Sequence, residues 1–266
     1  MAAKVAVVDI SEDVGTAFEK ALHLIGDIDD INTKERPVTI KVGVFHHKKG
    51  HHHTTVEVAQ AIANRFDKAP TIYVAESDNY KGRGLERLQI YQEIFSDHVV
   101  PFNLSEDTET KEFAIADELI ELSHILFEPH VFVSTHVLRK AQIGSILKNL
   151  LGLIPDRKKA RFHKKLVPTL LDAYEAIGRI DLAVLDGTYA YVDPTNDDDP
   201  GTKADMLIVG RDAVAVEAVG VNFCALNPEK IPVIQEAVKR GLGEGDIKNI
   251  IIVGDPLEIF TERILQ

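Results

Sequence analysis

A scarcity of cysteine, of long apolar runs and of positive charge sets the first limits on this chain. Its 266 residues include one cysteine, Cys224, which excludes an intrachain disulfide and a cysteine-ligated iron–sulfur cluster within the chain. The surrounding VNFCALNP is typical of the buried end of a helix. No segment approaches the roughly 18 apolar residues of a membrane-spanning helix, and no apolar signal region follows the N-terminus. We therefore expect a soluble, cytoplasmic protein without a membrane partner.

Positive charge is the scarcer sign, with 30 lysines and arginines against 42 aspartates and glutamates and a net charge of −12. An acidic surface repels nucleic acids and anionic membranes, so neither is an expected partner. The basic residues are clustered, at Lys48 and Lys49 and in RKKARFHKK from Arg157 to Lys165. Such a local basic region favours a small anionic ligand, and ordinary solvation of the surface is the alternative.

Apolar, β-branched runs alternate with amphipathic segments along the whole chain. Hydrophobic residues make up 45% of the sequence, enough for a full core. The predicted strands are VAVVD, VTIKVGV, TIYVA, HVFVS, LAVLD, MLIVG and IIIVG, and helical segments begin near Ser11, Thr55, Leu85, Lys111, Arg139, Val167, Asp212 and Glu229. Thr54 and Glu57 have the spacing of a capping box, and Asp212 is a suitable N-cap. The pattern predicts one α/β domain over residues 1–266, with a largely parallel (mixed) sheet flanked by helices on both faces.

The segment STHVLRKAQIGSILKNLLGLIPDRKKARFH, residues 134–163, is the most informative one. A buried strand ends in Thr135 and His136, and a helix-period segment follows, with Ile143, Leu147, Leu150 and Ile154 on one face. The other face carries Gly144, Ser145, Lys148, Asn149 and Gly152. A glycine inside a helix costs about 1 kcal/mol relative to alanine, so we expect a close approach on that face. The segment therefore predicts a pocket.

Three side chains of this segment are candidates for chemistry. His136 and His163 flank the glycine-bordered helix and would move a proton or bind a metal, and Lys148 would hold a carboxylate or phosphate, or act as a desolvated nucleophile or base. The alternatives are histidines bonded to the backbone and an exposed lysine. Thr135, Asn149, Gly152 and Asp186 are the expected ligand-binding residues beside them, because strands of a parallel sheet end at the ligand edge.

A metal site is predicted from the histidine-rich loop FHHKKGHHHTT, residues 45–55. His46 and His47, together with Glu76 at the end of TIYVA, are the candidate ligands of a divalent ion such as zinc, nickel or magnesium. Neighbouring histidines on a strand point to opposite faces, so a flexible loop that binds metal adventitiously fits equally well. Asp186 would bind a cation or orient His136, or only form the turn that an Asp-Gly pair favours.

The chain resembles the domain-of-unknown-function 362 family over most of its length. The matching stretches are KVGVFHHKKGHHHTTVEVAQAIANRF with Lys41 in the lysine position, STHVLRKAQIGSILKNLLG, VLDGTYAYVD, GRDAVAVEAVG and NPEKIPVIQEAVKRGLGEGDIKNIIIVGD. In GRDAVAVEAVG, Ala213 replaces a proline and Glu217 an aspartate of the family pattern. Many members carry ferredoxin-type cysteine motifs, which this chain lacks. The resemblance implies that any redox role here would need an iron–sulfur partner protein.

Residues 134–163 also resemble, more faintly, the nickel-pincer lactate racemase family. That family has a histidine, a lysine, a Pro-Gly pair and a second histidine in this order. Here the order is His136, Lys148, Gly152, Pro155 and His163. The resemblance implies a lysine tied to the cofactor and histidines that bind metal or transfer protons. The spacing differs, and Gly152 and Pro155 are not adjacent.

These patterns predict an enzyme-like site for a small anion, and for a metal as well, at the carboxyl edge of the sheet. Lys41 would belong to the ligand-binding wall with the residues named above. A non-catalytic metal or cofactor carrier, or a subunit that serves an iron–sulfur protein, is the alternative from another class. A structural scaffold is the third. The sequence alone leaves the choice between them open.

Overall fold

A mixed sheet forms the centre of the computed structural model, which describes residues 2–45, 52–191 and 198–265. Its strands, in chain order, are β1 (Lys4–Asp9), β2 (Val38–Val42), β3 (Ile72–Glu76), β4 (Val99–Asn103), β7 (Val131–Arg139), β8 (Leu182–Tyr191), β9 (Thr202–Gly210) and β10 (Ile251–Gly254). A separate hairpin consists of β5 (Thr110–Ile115) and β6 (Glu118–Ser123). The order in the sheet is β10-β1-β9-β8-β7-β2-β3-β4.

The strands of the sheet pair in parallel, except that β9 is antiparallel to both β1 and β8. The central register aligns Lys41 of β2 with Ser134 of β7 and with Ala75 of β3. Consequently β2, β3 and β7 end at the same edge of the sheet. The predicted α/β fold with a largely parallel sheet is confirmed.

Helices cover both faces of the sheet because the buried strands carry apolar side chains on both sides. One face packs against α1 (Val14–Ile25), α2 (Val56–Arg65) and α3 (Gly84–Leu88). The other packs against α4 (Ile146–Asn149), α5 (Leu166–Ile177), α6 (Ala213–Phe223), α7 (Pro232–Lys239) and α8 (Leu257–Leu265), as well as the β5–β6 hairpin. In β7, Val133 belongs to the α2 side and Phe132 to the α6 side. Successive residues of a strand thus serve separate cores.

Several local predictions are confirmed. Asp212 caps α6, since its side chain accepts hydrogen bonds from the backbone N–H groups of Val214 and Ala215, both at 3.0 Å. Cys224 is buried at the C-terminal end of the same helix. All seven predicted strands are present. None of the helices in the described ranges is long and apolar enough to cross a membrane.

Three local predictions are wrong. The segment near Lys111 forms the β5–β6 hairpin instead of a helix, because Ala116 and Asp117 take positive φ angles of 50° and 68° and reverse the chain. Helix α2 is capped at Thr55 without a side-chain bond, whereas the Thr54 hydroxyl accepts from the N–H of Gly43 at 3.4 Å, so no capping box forms.

The long helix predicted over residues 143–154 is the third error. Only Ile146–Asn149 is α-helical, and a 3-10 turn follows at Leu150–Leu153. Gly144 lies before the helix at φ +77°, a left-handed conformation that glycine adopts without strain. Gly152 lies in the 3-10 turn. Neither glycine therefore lies inside an α-helix, and the expected cost in helix stability does not arise. The close approach expected at these glycines is present, at Glu217 for Gly144 and at Lys41 for Gly152.

We expect Gly220→Ala to destabilise the protein, because Gly220 lets α6 lie directly on β8. A Cβ there would overlap Leu185 Cδ2. Overpacking of this kind typically costs about 1–3 kcal/mol. Urea denaturation would measure the loss in free energy of unfolding. Gly15→Ala in α1 is the matched control, since the nearest atom to its Cβ would be Asp13 Oδ1 at 3.5 Å. Equal stability of both variants would contradict this packing.

Candidate functional site

A pocket of about 110 Å³ opens at the carboxyl edge of the sheet, where β2, β3 and β7 end. Three kinds of segment line it: the ends of these strands, α3, and the chain from Lys148 to Lys159. The lining residues are Lys41, Gly43, Val44, Phe45, Glu76, Ser77, Asn79, Arg87, His136, Arg139, Lys148, Asn149, Leu151, Gly152 and Lys159.

A buried ion pair between Lys41 and Glu76 forms the floor of the pocket, with Nζ 2.9 Å from Oε1. The other carboxylate oxygen lies 3.4 Å from the Arg87 guanidinium and accepts from the N–H of Val44 at 3.1 Å. Burial disfavours the charge of Glu76, but Lys41 and Arg87 outweigh it and lower the pKa of Glu76 to about 2. Burial lowers the pKa of Lys41, against the influence of Glu76.

Asn149 and Gly152 hold Lys41 from the opposite side. Lys41 Nζ donates to Asn149 Oδ1 at 3.0 Å and to the Val42 carbonyl at 2.8 Å. Together with Glu76 these acceptors match the three N–H groups of the ammonium. A Cβ at Gly152 would lie 2.7 Å from Lys41 Nζ, so a glycine is needed where the chain passes over the amine. Lys41 is therefore a fixed structural charge.

Two further lysines, Lys148 and Lys159, lie partly buried in the pocket wall. Lys159 Nζ donates to the carbonyls of Asp78 and Asp156, the latter at 2.9 Å. Lys148 has neither a salt bridge nor a hydrogen bond to any residue in the described ranges. Burial, assisted by the charge of Arg139, lowers the pKa of Lys148 to about 8. Burial is also the main cause that lowers the pKa of Lys159 to about 8.

The described lining is strongly cationic. Its basic members are Lys41, Arg87, Arg139, Lys148 and Lys159, whereas Glu76 is its one carboxylate. Glu76 is already paired with two of the five cations. Lys148 and Lys159 form no salt bridge with a described residue and add positive charge to the pocket of a protein whose net charge is −12.

His136 contributes a neutral imidazole to the pocket. Its Nδ1 lies 3.0 Å from the Val137 carbonyl, which can only accept, so Nδ1 carries the proton and Nε2 a lone pair. Burial first, and the charge of Arg139 second, hold the pKa of His136 well below its usual value. A Cβ at Gly43 would overlap His136 Cδ2, so the ring occupies space that only a glycine leaves open. His136 is therefore uncharged at neutral pH, and its Nε2 can accept a hydrogen bond.

Glu217 of α6 fixes the turn that leads to Lys148. The side chain is fully buried, and its carboxylate accepts from the N–H of Ser145 and of Leu147, both at 2.8 Å. A Cβ at Gly144 would lie 2.5 Å from Glu217 Cδ, so the turn needs its glycine. Burial raises the pKa of Glu217 to about 7, against the backbone hydrogen bonds. Glu217 thus anchors the start of α4 without touching the pocket.

The structure brings together six of the predicted site residues and separates others. Lys41, Glu76, His136, Lys148, Asn149 and Gly152 share the pocket. Thr135 and Asp186 point to the opposite face, toward α2, where Asp186 accepts from the N–H and hydroxyl of Thr55 at 2.7 and 2.9 Å. His163 is exposed and does not line the pocket. His46 and His47 lie outside the described residues.

No group of three histidine, cysteine or carboxylate side chains in residues 2–45, 52–191 and 198–265 is arranged to hold a metal ion. Glu76, the described member of the predicted metal site, bonds instead to Lys41, Arg87 and backbone N–H groups. The metal site stays a prediction, because its histidines lie in the undescribed segment.

The sequence-based prediction missed four residues that shape the pocket. Gly43 interrupts the strand-like VGV, a position that signals close approach of another group. Lys159 belongs to the basic run from Arg157. Glu217 stood out only as a departure from a family pattern. Arg87, which is 2% exposed, has no signal in the sequence, since an arginine on an amphipathic helix is usually exposed.

Comparison with known proteins gives one family. The sequence model of the family described as "Domain of unknown function (DUF362)" matches residues 38–222. These residues include β2, β3, β7, the pocket and most of α6. No curated protein and no solved structure matches the chain significantly.

We expect Glu217→Gln to remove a pH dependence of stability. The folded-state pKa of about 7 lies above the ordinary 4.5, so the folded protein binds more protons between these values and loses stability as the pH rises through them. The difference in unfolding free energy between wild type and Glu217→Gln should change by on the order of 3 kcal/mol from pH 4 to pH 8. Urea denaturation across that range measures it, and a constant difference would contradict the assignment.

Proposed function

The chain belongs to the DUF362 family, for which no activity is defined, and we propose that its pocket binds a small organic anion, a carboxylate or a phosphate, in an enzyme-like site. The observation that carries this proposal is the charge imbalance of the lining. Lys41 and Arg87 neutralise the single carboxylate of the described lining, whereas Lys148 and Lys159 face the pocket without a salt bridge to any described residue. An anion would offset the remaining charge at little cost in desolvation of its partners.

Lys148 is the cation that would contact the anion. Lys41 has no N–H left to donate, because three acceptors surround its ammonium. Lys159 already bonds to two carbonyls. Lys148 has no such partner among the described residues, so a bound anion would supply the hydrogen bonds that its partly buried amine lacks. Charge-assisted hydrogen bonds of this kind are about twice as strong as neutral ones.

His136 supports the enzyme-like part of the proposal. A neutral imidazole with an available Nε2 would accept a proton from a ligand held at Lys148. Glu217, behind the pocket, would keep the Lys148 turn in place. The involvement of a metal or of an iron–sulfur partner stays a prediction that these contacts do not address.

We expect wild-type protein to bind acetate, malonate or inorganic phosphate, and Lys148→Ala to lose at least about tenfold in affinity, the value of one charge-assisted hydrogen bond. Isothermal titration calorimetry at pH 7 would measure both. Lys164→Ala is the matched control, because Lys164 is exposed on the same basic segment and does not line the pocket. Equal loss in the two variants would mean that only the general basic surface attracts anions.

Anion binding should weaken as the pH rises from 7 to 9. Lys148 and Lys159 both have a pKa of about 8, so both are charged below this value and lose the charge above it. The fall in affinity should be smaller in Lys148→Ala and absent in the variant that also carries Lys159→Ala. The same titrations, repeated in steps of pH, provide the measurement. A wild-type affinity that stays constant to pH 9 would contradict the role of these lysines.

A further inference from the structure

The amine of Lys148 has the surroundings of a nucleophile. It lies partly buried in the pocket wall, beside the cation Arg139, and has no carboxylate or hydrogen-bond acceptor among the described residues. A lysine that serves only as a charge usually pairs with an acid, as Lys41 does with Glu76. Desolvation and a neighbouring cation are the two influences that activate a lysine for covalent catalysis.

We propose that Lys148 forms an imine with the carbonyl carbon of a small compound that also carries an anionic group. This proposal rests on the anion-binding function proposed above. The anionic group would pair with Lys159, whose two carbonyl partners leave one N–H of its ammonium, and the carbonyl would be presented to Lys148 Nζ. A 2-oxo acid and a phosphorylated aldehyde share this chemistry.

The reaction is balanced without an oxidant or a reductant. The neutral amine attacks the carbonyl carbon, a C–N bond forms, and the carbonyl π electrons move to oxygen, which receives a proton. The amine nitrogen of this carbinolamine has lost one proton. The hydroxyl then takes a second proton, the C–O bond breaks, water leaves, and the nitrogen lone pair completes the C=N bond of a protonated imine, which becomes neutral when its N–H proton is lost. His136, with its available Nε2, lines the same pocket and can carry protons between nitrogen and oxygen.

The supply of neutral amine also favours Lys148. With a pKa of about 8 against an ordinary 10.5, roughly two hundred times more of this amine is neutral at pH 7.5 than of an ordinary lysine. Lys159 has a similarly lowered pKa but bonds to the carbonyls of Asp78 and Asp156. Its nitrogen is therefore held away from an incoming carbon.

Reductive trapping tests the proposal. Wild-type protein would be incubated at pH 7.5 with pyruvate, glyoxylate or glyceraldehyde 3-phosphate, each with sodium cyanoborohydride, and analysed by peptide mass mapping. We expect one reduced adduct, located on Lys148, in a yield at least about tenfold above that of any exposed lysine. Preference for the oxo acids or for the phosphate identifies the anionic group. Propanal, which carries no charge, should label Lys148 no better than it labels exposed lysines such as Lys164.

Lys148→Arg is the matched variant, because it keeps the positive charge and removes the nucleophile. It should yield no adduct in the pocket. Mapping of the wild-type protein identifies the modified residue even if this variant folds poorly. Adducts spread evenly over exposed lysines, or on Lys159 alone, would overturn the proposal.

Calorimetry separates the two proposals. Pyruvate binding without an adduct on Lys148 would overturn imine formation and leave the anion site intact. If pyruvate, acetate and phosphate all fail to bind and no adduct forms, both proposals are wrong.

Discussion

The buried ion pair of Lys41 and Glu76 is the interaction on which the rest of the site depends. Removing two charges from water is expensive, and the pair persists only because Arg87, Asn149 and backbone groups complete its hydrogen bonds. These partners come from the ends of β2 and β3, from α3 and from α4. One electrostatic requirement thereby joins four elements at a single edge of the sheet, and the positions of Lys148 and Gly152 follow from it.

The lysines of the pocket show how similar side chains acquire different chemistry. Lys41 is saturated with acceptors, Lys159 has two carbonyl partners, and Lys148 has none among the described residues. Burial lowers the pKa of each, so the number of hydrogen bonds is what distinguishes the structural charge of Lys41 from the amine that we propose as a nucleophile. Repulsion between several cations lowers the stability of the fold. Here the cations lie together at the carboxyl ends of three parallel strands, where a bound anion would offset their repulsion.

The sequence predicted the fold better than it predicted the site. Buried strands could be recognised because short apolar, β-branched runs occur mainly in buried strands. The family resemblance pointed to Lys41, Lys148 and Asn149. The β5–β6 hairpin was missed because the spacing of its apolar residues also fits a helix. The segment forms a hairpin because β5 pairs with β6. The roles of Arg87 and Glu217 could not be predicted, since they depend on contacts 43 and 70 or more residues away in the chain. Tertiary packing alone creates those roles.

Adjacent residues of β7 lie on opposite faces of the sheet. His136 faces the pocket, whereas Thr135 lies on the side of α2 and Asp186. The pleat of one strand therefore separates the pocket on one side from a buried, fully hydrogen-bonded carboxylate on the other. Alternate positions of this strand can vary independently, so the ligand preference of the pocket could diverge among relatives while the second core, and with it the fold, stays unchanged.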